Sequence, residues 1–266
     1  MHIFGMKKLL LFILLPYSYA FAQPAVYTTA NAHSHNDYQQ AFPFYAAYNL
    51  KYGSIEADVY LNVSDNELLV AHNATDAQQH RTLEELYIKP LAENIQNNKG
   101  SVYADTSLKL ILMLDVKTEA VPAINKLIDI LIKYPALTSC PSLTIMVTGS
   151  KPNSATYDAY PSYIWFDGLL SENYNKEVLS RIAVMGDNFI NYTKWGGNGE
   201  LPANDWEKLK KSVAKGHSLG KKVRLWNVPD NFEGWQRLIA LGVDYLNTDS
   251  IKALAEFLKK NGARNL

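Results

Sequence analysis

Cysteine is nearly absent from this chain of 266 residues, where Cys140 is the single example. One thiol cannot build an internal disulfide framework or a cysteine-rich zinc site, so both classes of protein are excluded. We expect Cys140 to be a small buried apolar residue.

Net charge is also absent, because 26 basic residues balance 26 acidic ones. A neutral chain does not attract a polyanion over long distances, which argues against nucleic acid as a partner. The apolar run at residues 9–15 is well short of the roughly 20 residues that a membrane-spanning helix needs. We therefore expect no stable membrane span.

Linkers and dinucleotide motifs are missing too. No Gly/Ser/Pro-rich linker or low-complexity tract divides the sequence, which predicts one domain. No Gly-x-Gly-x-x-Gly follows a predicted strand, which weakens the case for a dinucleotide-binding fold.

The first 22 residues are typical of an export signal. Lys7 and Lys8 give a positive start, residues 9–15 an apolar centre, and residues 20–22 a small-x-small cleavage site. Cleavage after Ala22 would leave a domain over residues 23–266. We expect a secreted or periplasmic protein.

What the sequence contains is an alternation of short apolar runs and amphipathic segments. Eight strands are predicted, over residues 28–33, 54–61, 108–116, 143–148, 163–166, 182–185, 222–228 and 245–248. Helices are predicted between them, including residues 82–98, 120–133, 203–219 and 232–241. This alternation predicts an α/β fold, a single-domain (β/α)8 TIM barrel.

Polar residues lie at the ends of the predicted strands, where barrel enzymes carry their reactive groups. Glu56 and Asp58 are two positions apart in one strand, so their side chains share a face. Two desolvated carboxylates repel one another, and a bound cation or a proton offsets that cost. A salt bridge to Lys or Arg at the barrel rim is the alternative. Asp115 ends the next strand and is a third candidate ligand, with a helix N-cap as its alternative role.

The chemistry of these ligands predicts the metal. Glu56, Asp58 and Asp115, together with the side-chain carbonyl of Asn36, form an all-oxygen set. Such a set suits Mg²⁺ or Ca²⁺ better than zinc. Lys117 would add positive charge beside a developing phosphorane, or would only balance the acidic cluster.

Two histidines complete the predicted site. His35 follows the first predicted strand, and His72 closes the apolar run at residues 68–71. On either side of a metal, they would move protons to and from a phosphodiester as general acid and base.

The tripeptide His33-Ser34-His35 leaves one alternative, because it also resembles the start of a zinc amidohydrolase site. That site needs histidines at later strand ends. The remaining candidates, His80 and His217, fall in segments that read as loop or helix, which makes this alternative a minor one.

Two residues near the end of the seventh predicted strand are candidates for contact with substrate. Arg224 would reach a phosphate, and Trp226 would wall the pocket or stack on a substrate group. Plain packing is the alternative for each.

An ordered set of motifs supports this site: HNDY at 35–38, IEADV at 55–59, LVAH at 69–72, LDVK at 114–117, VRLW at 223–226 and GVDYLNTD at 242–249. In this order they resemble the PLC-like phosphodiesterase superfamily. It includes glycerophosphodiester phosphodiesterases, phosphatidylinositol-specific phospholipases C and sphingomyelinase-D-type enzymes. The chain is most similar to the His-Asn-Asp-Tyr branch that includes altered inheritance of mitochondria protein 6.

The resemblance implies a TIM barrel in which His35 and His72 are the acid and base and Glu56, Asp58 and Asp115 bind a divalent cation. A similarity to eukaryotic-type phospholipases C implies that Asn36 is also a metal ligand.

Two departures from glycerophosphodiesterases leave the head group open. Their Glu-Asn-Thr motif is missing after the first histidine, and Asn73 stands where they usually place aspartate.

The expected activity is that of a metal-dependent phosphoric diester hydrolase. Its substrate would be a small-molecule or lipid phosphodiester of the glycerophosphodiester or phospholipid type. A lyase that releases a cyclic phosphate and a barrel that binds a phosphate ligand without turnover remain alternatives.

Overall fold

The computed structural model describes residues 26–261, and the export signal predicted at residues 1–22 lies outside this part of the chain. The strands are β1 (Ala32–Ser34), β2 (Ser54–Asn62), β3 (Glu67–Val70), β4 (Leu110–Val116), β5 (Leu143–Gly149), β6 (Ile164–Leu169), β7 (Ile182–Asn188), β8 (Lys222–Trp226) and β9 (Leu246–Thr248).

The α-helices are α1 (Tyr45–Asn49), α2 (Ala74–Ala77), α3 (Lys89–Asn97), α4 (Ala120–Leu131), α5 (Pro135–Thr138), α6 (Lys176–Leu179), α7 (Ala203–Ser218), α8 (Phe232–Leu241) and α9 (Ile251–Asn261). Short 3-10 turns cover Thr29–Asn31, Asp37–Gln39, Ser154–Ala159 and Phe189–Asn191. A π turn, Glu84–Ile88, leads directly into α3, so the helix predicted at residues 82–98 is formed in two parts.

Eight strands form a nearly closed parallel barrel, in the hydrogen-bonded order β8-β7-β6-β5-β4-β2-β1-β9. The ring closes through a parallel bridge between Arg224 and Tyr245. At the same place the Val223 carbonyl accepts hydrogen bonds from the amides of Asp244 and Tyr245. The predicted (β/α)8 TIM barrel is confirmed.

The strand β3 differs from the sequence prediction, which assigned no strand to residues 67–70. It pairs antiparallel with the end of β2, from Val59 opposite Val70 to Asn62 opposite Glu67. This hairpin returns the chain to the mouth of the barrel and brings His72 beside the carboxyl end of β2. A short apolar run does not by itself distinguish an antiparallel arm from a segment of core.

The first strand is shorter than predicted, because residues 28–31 form a capped 3-10 turn instead. The Thr28 hydroxyl accepts from the Ala30 amide at 3.3 Å, and the Asn31 side chain accepts from the Thr28 amide at 3.2 Å. These local bonds occupy backbone donors that a strand would use for pairing. The other predicted strands agree with the observed bounds to within a few residues.

The barrel strands are buried on both faces, which explains their continuous apolar runs. On the outer face, Ile55, Ala57 and Leu112 belong to the main core beneath the helices. On the inner face, Met113 and Met146 belong to a smaller cluster inside the barrel. Alternation therefore points Glu56 and Asp58 inward, toward the barrel axis.

Candidate active site

Three carboxylates converge at the carboxyl-terminal mouth of the barrel. Glu56 and Asp58 on β2 and Asp115 on β4 offer oxygens that lie within 4.8 Å of one another. The strand register brings this about, because Asp58 and Asp115 are direct partners across β2 and β4. The structure thus groups the three carboxylates that the sequence predicts as metal ligands.

The two carboxylate oxygens of Asp58 have different surroundings, although the residue is fully buried. Oδ2 accepts a hydrogen bond from the Tyr38 hydroxyl at 2.9 Å and lies 2.7 Å from His72 Nδ1. Oδ1 lies 3.3 Å from Lys117 Nζ, yet within residues 26–261 it has no hydrogen bond of good geometry. A buried oxygen without a hydrogen bond costs free energy. This oxygen fits the role of a ligand to a cation.

Lys117 lies between two of the carboxylates. Its Nζ is 2.7 Å from Asp115 Oδ2 and 3.3 Å from Asp58 Oδ1. Burial alone would lower the pKa of Lys117, but the two carboxylates outweigh it and raise that pKa. Burial raises the pKa of Asp115, against the opposing effect of Lys117. Lys117 is therefore a fixed positive charge inside the acidic cluster.

Asp115 has room because its β5 partner, Thr148, is followed by a glycine, Gly149. A Cβ on Gly149 would lie 2.0 Å from Asp115 Oδ1, and Gly149 has a φ of +72°, which favours glycine. The sequence interpretation did not include Gly149. The sequence feature that could have identified Gly149 is a glycine at the end of an apolar strand, because such a glycine often marks the close approach of another group.

Glu56 is held by basic side chains from β1 and β8. Its Oε2 lies 2.7 Å from His33 Nε2 and 3.0 Å from a terminal nitrogen of Arg224. Burial alone would raise the pKa of Glu56, but Arg224 and His33 outweigh it and lower that pKa. Arg224 also donates through Nε to Asn247 Oδ1 at 3.0 Å, so the guanidinium is tied to both neighbours.

His33 is a buried member of the site that the sequence interpretation placed only in the minor zinc alternative. Its Nδ1 lies 2.8 Å from Ser54 Oγ, while Nε2 faces Glu56. Burial lowers the pKa of His33 to about 3, so the ring is neutral. A neutral ring that donates from Nε2 to Glu56 accepts from the Ser54 hydroxyl at Nδ1. The signal was its position in β1, two residues before His35, because residues two apart in extended chain point the same way.

The two predicted proton carriers approach the cluster at different carboxylates. His35 Nε2 is 3.9 Å from Glu56 Oε1, and His35 Nδ1 is 2.7 Å from Asp249 Oδ1. His72 approaches Asp58, and its side chain is 60% exposed. Burial alone would lower the pKa of His35, but Asp249 and Glu56 outweigh it and raise that pKa. Each ring is oriented by a carboxylate at Nδ1, as in general acid–base histidines.

Asn36 adopts the left-handed backbone conformation, with a φ of 47°. Asparagine tolerates this region better than most residues. Its Nδ2 lies 3.2 Å from His35 Nδ1, so the side chain stands next to the first histidine. A metal-ligand role for Asn36 stays a prediction.

A cavity of about 380 Å³ opens at this mouth, and its wall includes His35, Glu56, Asp115, Arg224 and Trp226. The structure thus places both predicted substrate-contact residues in the wall. A larger cavity, of about 650 Å³, lies between α3 and α5, and none of the described residues lining it belongs to the predicted site. Chemistry, rather than volume, identifies the candidate active site.

The zinc amidohydrolase alternative finds no support in the described residues. His80 lies in an exposed loop. His217 lies on α7, and its Nε2 contacts Asp244 Oδ2 at 2.8 Å. Across residues 26–261, the only group of histidine, cysteine or acidic side chains with metal-binding spacing is Glu56, Asp58 and Asp115.

Comparison with known families matches two regions of the chain. The model of the AIM6-like phosphodiesterase domain matches residues 25–134, which include the acidic cluster and both histidines. The model of the glycerophosphoryl diester phosphodiesterase family matches residues 222–250, from β8 to the end of β9.

Three relatives show the similarity of the whole domain. The altered inheritance of mitochondria protein 6 homolog of Arthroderma benhamiae is 31% identical over 83% of this chain and 81% of its own length. Altered inheritance of mitochondria protein 6 of Eremothecium gossypii is 28% identical over 85% of this chain and 68% of its own length. The protein of that name from Lachancea thermotolerans is 26% identical, and the match spans 63% of its length.

A solved structure shares the fold. The crystal structure of a glycerophosphodiester phosphodiesterase from Parabacteroides distasonis matches with a TM-score of 0.55 and 16% identity. The match covers 86% of this chain and 95% of that one.

The expectation of a secreted or periplasmic protein is wrong. The relatives are named for altered inheritance of mitochondria, which associates them with mitochondria and not with export. Within residues 26–261, no helix combines the length and the apolar character that crossing a membrane requires.

Proposed function

We propose, since this chain belongs to the family of altered inheritance of mitochondria protein 6, that it is a metal-dependent phosphoric diester hydrolase. One observation carries the proposal. A cluster of three carboxylates lies at a barrel mouth between two histidines, each oriented by a carboxylate. Such a set supports displacement at phosphorus with proton transfer on both sides.

The residues fit a hard divalent cation, Mg²⁺ or Ca²⁺. Glu56, Asp58 and Asp115 would hold it, with Asn36 as a further candidate ligand. The buried Asp58 oxygen that lacks a hydrogen bond supports this fit. When bound, the cation neutralises charge on the phosphoryl oxygens and orients the diester.

The chain's own groups supply the rest of the reaction. One histidine accepts the proton of the attacking water as a new P–O bond forms, and the other protonates the leaving alkoxide as the old P–O bond breaks. His35 is held for this by Asp249, and His72 by Asp58. Lys117 adds a fixed positive charge beside the phosphoryl group. The substrate is a small-molecule or lipid phosphodiester that enters the cavity beneath Trp226.

The proposal is tested with purified protein and several phosphodiester classes, including bis(p-nitrophenyl) phosphate, in Mg²⁺, Ca²⁺ or Mn²⁺. Products are identified by mass spectrometry, and phosphorus NMR separates a hydrolysed product from a cyclic phosphate. We expect turnover with at least one cation. Binding of a diester without turnover in all three cations would instead favour the non-catalytic barrel.

Two variants test the histidines. His35→Ala and His72→Ala should each lower kcat by about 100-fold or more, because each removes a proton carrier. The Mn²⁺ affinity measured by calorimetry should stay near that of the wild type. His80→Ala is the matched control, since His80 is exposed in a loop. Turnover near the wild-type rate in either site variant removes that histidine from the mechanism.

A further inference from the structure

The β5–β6 side of the cavity contains an ion pair separate from the acidic cluster. The Lys151 ammonium contacts the Asp167 carboxylate and also donates to the Asp167 backbone carbonyl at 3.0 Å. The two side chains are only 18% and 13% exposed, so the pair is largely withdrawn from bulk water. Both residues line the same cavity as His35 and Glu56. The pair therefore faces the space that a bound diester would occupy.

Apolar side chains also line the cavity that contains this pair, among them Leu169, Val184 and the indole of Trp226. The indole lies against the backbone of Gly186, where a Cβ would come within 3.0 Å of Trp226 Cζ3. A glycine at this position therefore lets the ring lie close to β7. The indole and the ion pair both line the cavity.

This wall is poorly suited to a cationic group. Quaternary ammonium ligands are bound by cages of aromatic rings, and carboxylates attract cations only when they are not already neutralised. Of the described residues that line the cavity, Trp226 is the only Phe, Tyr or Trp, and the His35 imidazole is the only other aromatic ring. Three carboxylates line the cavity, and each is paired with a basic side chain: Asp167 with Lys151, Asp115 with Lys117 and Glu56 with Arg224.

We propose that Lys151 and Asp167 form a subsite for an uncharged polyol head group and discriminate against choline-type cations. The inference rests on the proposed phosphodiesterase function, because the head group is the alcohol esterified to the phosphate at the acidic cluster. A hydroxyl accepts a hydrogen bond from the Lys151 ammonium and donates one to the Asp167 carboxylate. A cation is repelled by Lys151 and gains little from an Asp167 that is already paired.

The test measures binding of product-like phosphates to the full-length protein in Mg²⁺ by calorimetry. The probes are glycerol 3-phosphate, inositol 1-phosphate and phosphocholine. We expect the wild type to bind at least one polyol phosphate about tenfold more tightly than phosphocholine, because hydrogen bonds to charged groups discriminate on this scale. Whichever polyol binds more tightly identifies the alcohol.

Variants of the pair should shift this preference in opposite directions. Lys151→Met leaves the Asp167 carboxylate unpaired, so phosphocholine should bind more tightly than the polyol phosphates. Asp167→Asn leaves Lys151 unpaired and should weaken phosphocholine further relative to them. Thermal unfolding shows whether each variant folds. If Lys151→Met does not fold, Asp167→Asn still tests the subsite, because asparagine has nearly the same shape as aspartate.

Lys208→Met is the matched control. Lys208 Nζ lies 2.8 Å from Asp205 Oδ1 on α7, and its side chain is 60% exposed. Loss of this surface pair should leave all three affinities unchanged. If instead it alters the order of binding as Lys151→Met does, the effect is one of overall charge and the subsite is overturned.

Two further results would overturn the subsite. The first is a folded wild type that binds phosphocholine as tightly as the polyol phosphates, or binds none of the three. The second is a wild-type order of affinities retained in a folded variant of the pair. Because binding is measured directly, absence of diester turnover contradicts the proposed hydrolysis alone, whereas an unchanged order contradicts the subsite alone.

Discussion

At the scale of single residues, the His33 imidazole is fully buried, unlike an imidazole in water. Burial lowers its pKa to about 3, and unfolding returns it to the ordinary value of 6.5. Between these values the unfolded chain binds a proton that the folded chain does not, so stability falls as the pH falls through this window. One such group changes the free energy of unfolding by about 1.4 kcal/mol per pH unit.

We therefore expect the urea midpoint of the metal-free protein to decrease as the pH is lowered from about 6.5, above the range in which most carboxylates titrate. His33→Gln should flatten this dependence. His35 acts in the opposite sense, because its raised pKa gives stability that is present below 6.5 and lost as the pH rises through the folded value. Comparing His33→Gln with the wild type at each pH cancels the effect of His35.

The exposed His80 provides the control for this measurement, and His80→Gln should retain the wild-type slope. A His33→Gln protein with the same acid dependence as the wild type would show that His33 is protonated in the folded state.

Asp58 is the residue on which metal binding should depend most directly. Asp58→Asn keeps the size of the side chain but removes the charge of a buried carboxylate in the cluster. We expect the Mn²⁺ affinity, measured by calorimetry, to fall by more than about tenfold. Asp65→Asn, at the exposed turn between β2 and β3, should leave it unchanged. Equal affinities in the two variants would place the cation elsewhere.

At the scale of elements, the end of β5 determines how much space the predicted metal ligands have. In Gly149→Ala, the new Cβ would meet Asp115 Oδ1 at 2.0 Å and the Val116 carbonyl at 2.7 Å. Asp115 must then move out of the cluster, so Mn²⁺ affinity should fall together with stability. Calorimetry and thermal unfolding measure the two effects.

The left-handed backbone of Gly149 adds a cost of its own, about 1–2 kcal/mol for a residue with a Cβ. Gly199 isolates that cost, because its φ is +70° and a Cβ there would meet nothing within 4 Å. Gly199→Ala should lose stability while keeping the Mn²⁺ affinity. If Gly149→Ala also keeps it, Asp115 is not a ligand.

Local patterns in the sequence predicted most elements but not how they meet. The amphipathic repeats of α4, α7 and α8 and the apolar runs of the parallel strands carry their own periodicity. The antiparallel arm β3 was not predicted, because its short apolar run has no clear periodicity and forms a strand only by pairing with the end of β2. The turn before β1 was missed because the Thr28 cap outweighs an extended pattern.

Within the site, sequence reasoning found the groups that repeat at short spacing, such as Glu56 with Asp58 and Asp115 with Lys117. It did not find every partner that comes from a distant strand. Lys151 and Asp167 lie in separate βα units, and their contact follows only from barrel register. The same holds for the contact of Asp249 with His35, which spans 214 positions.

At the scale of the whole molecule, the barrel is uneven around its circumference. Strands β4 and β5 are paired continuously from Leu110 opposite Leu143 to Val116 opposite Gly149. Strands β8 and β9 meet through one bridge, with two amides sharing the Val223 carbonyl. Fewer backbone hydrogen bonds allow local opening at lower free energy.

Amide hydrogen exchange should therefore be faster at Asp244 and Tyr245 than at Leu112 and Leu114 in the β4–β5 region. Native-state exchange followed by mass spectrometry or NMR measures this difference. The β7 amides provide an internal reference, because β7 is paired with β8 from Val184 opposite Lys222 to Asn188 opposite Trp226. Equal protection of the two regions would mean that the barrel opens only as a unit.

The β2–β3 hairpin also shapes how this chemistry is inherited. Asp58 and His72 are fourteen positions apart on one uninterrupted peptide, so a predicted cation ligand and a predicted proton carrier are encoded together. A recombination event that exchanges this stretch replaces both at once. His35 comes from a separate stretch of the gene. Evolution can therefore change this predicted proton carrier without changing Asp58 or His72.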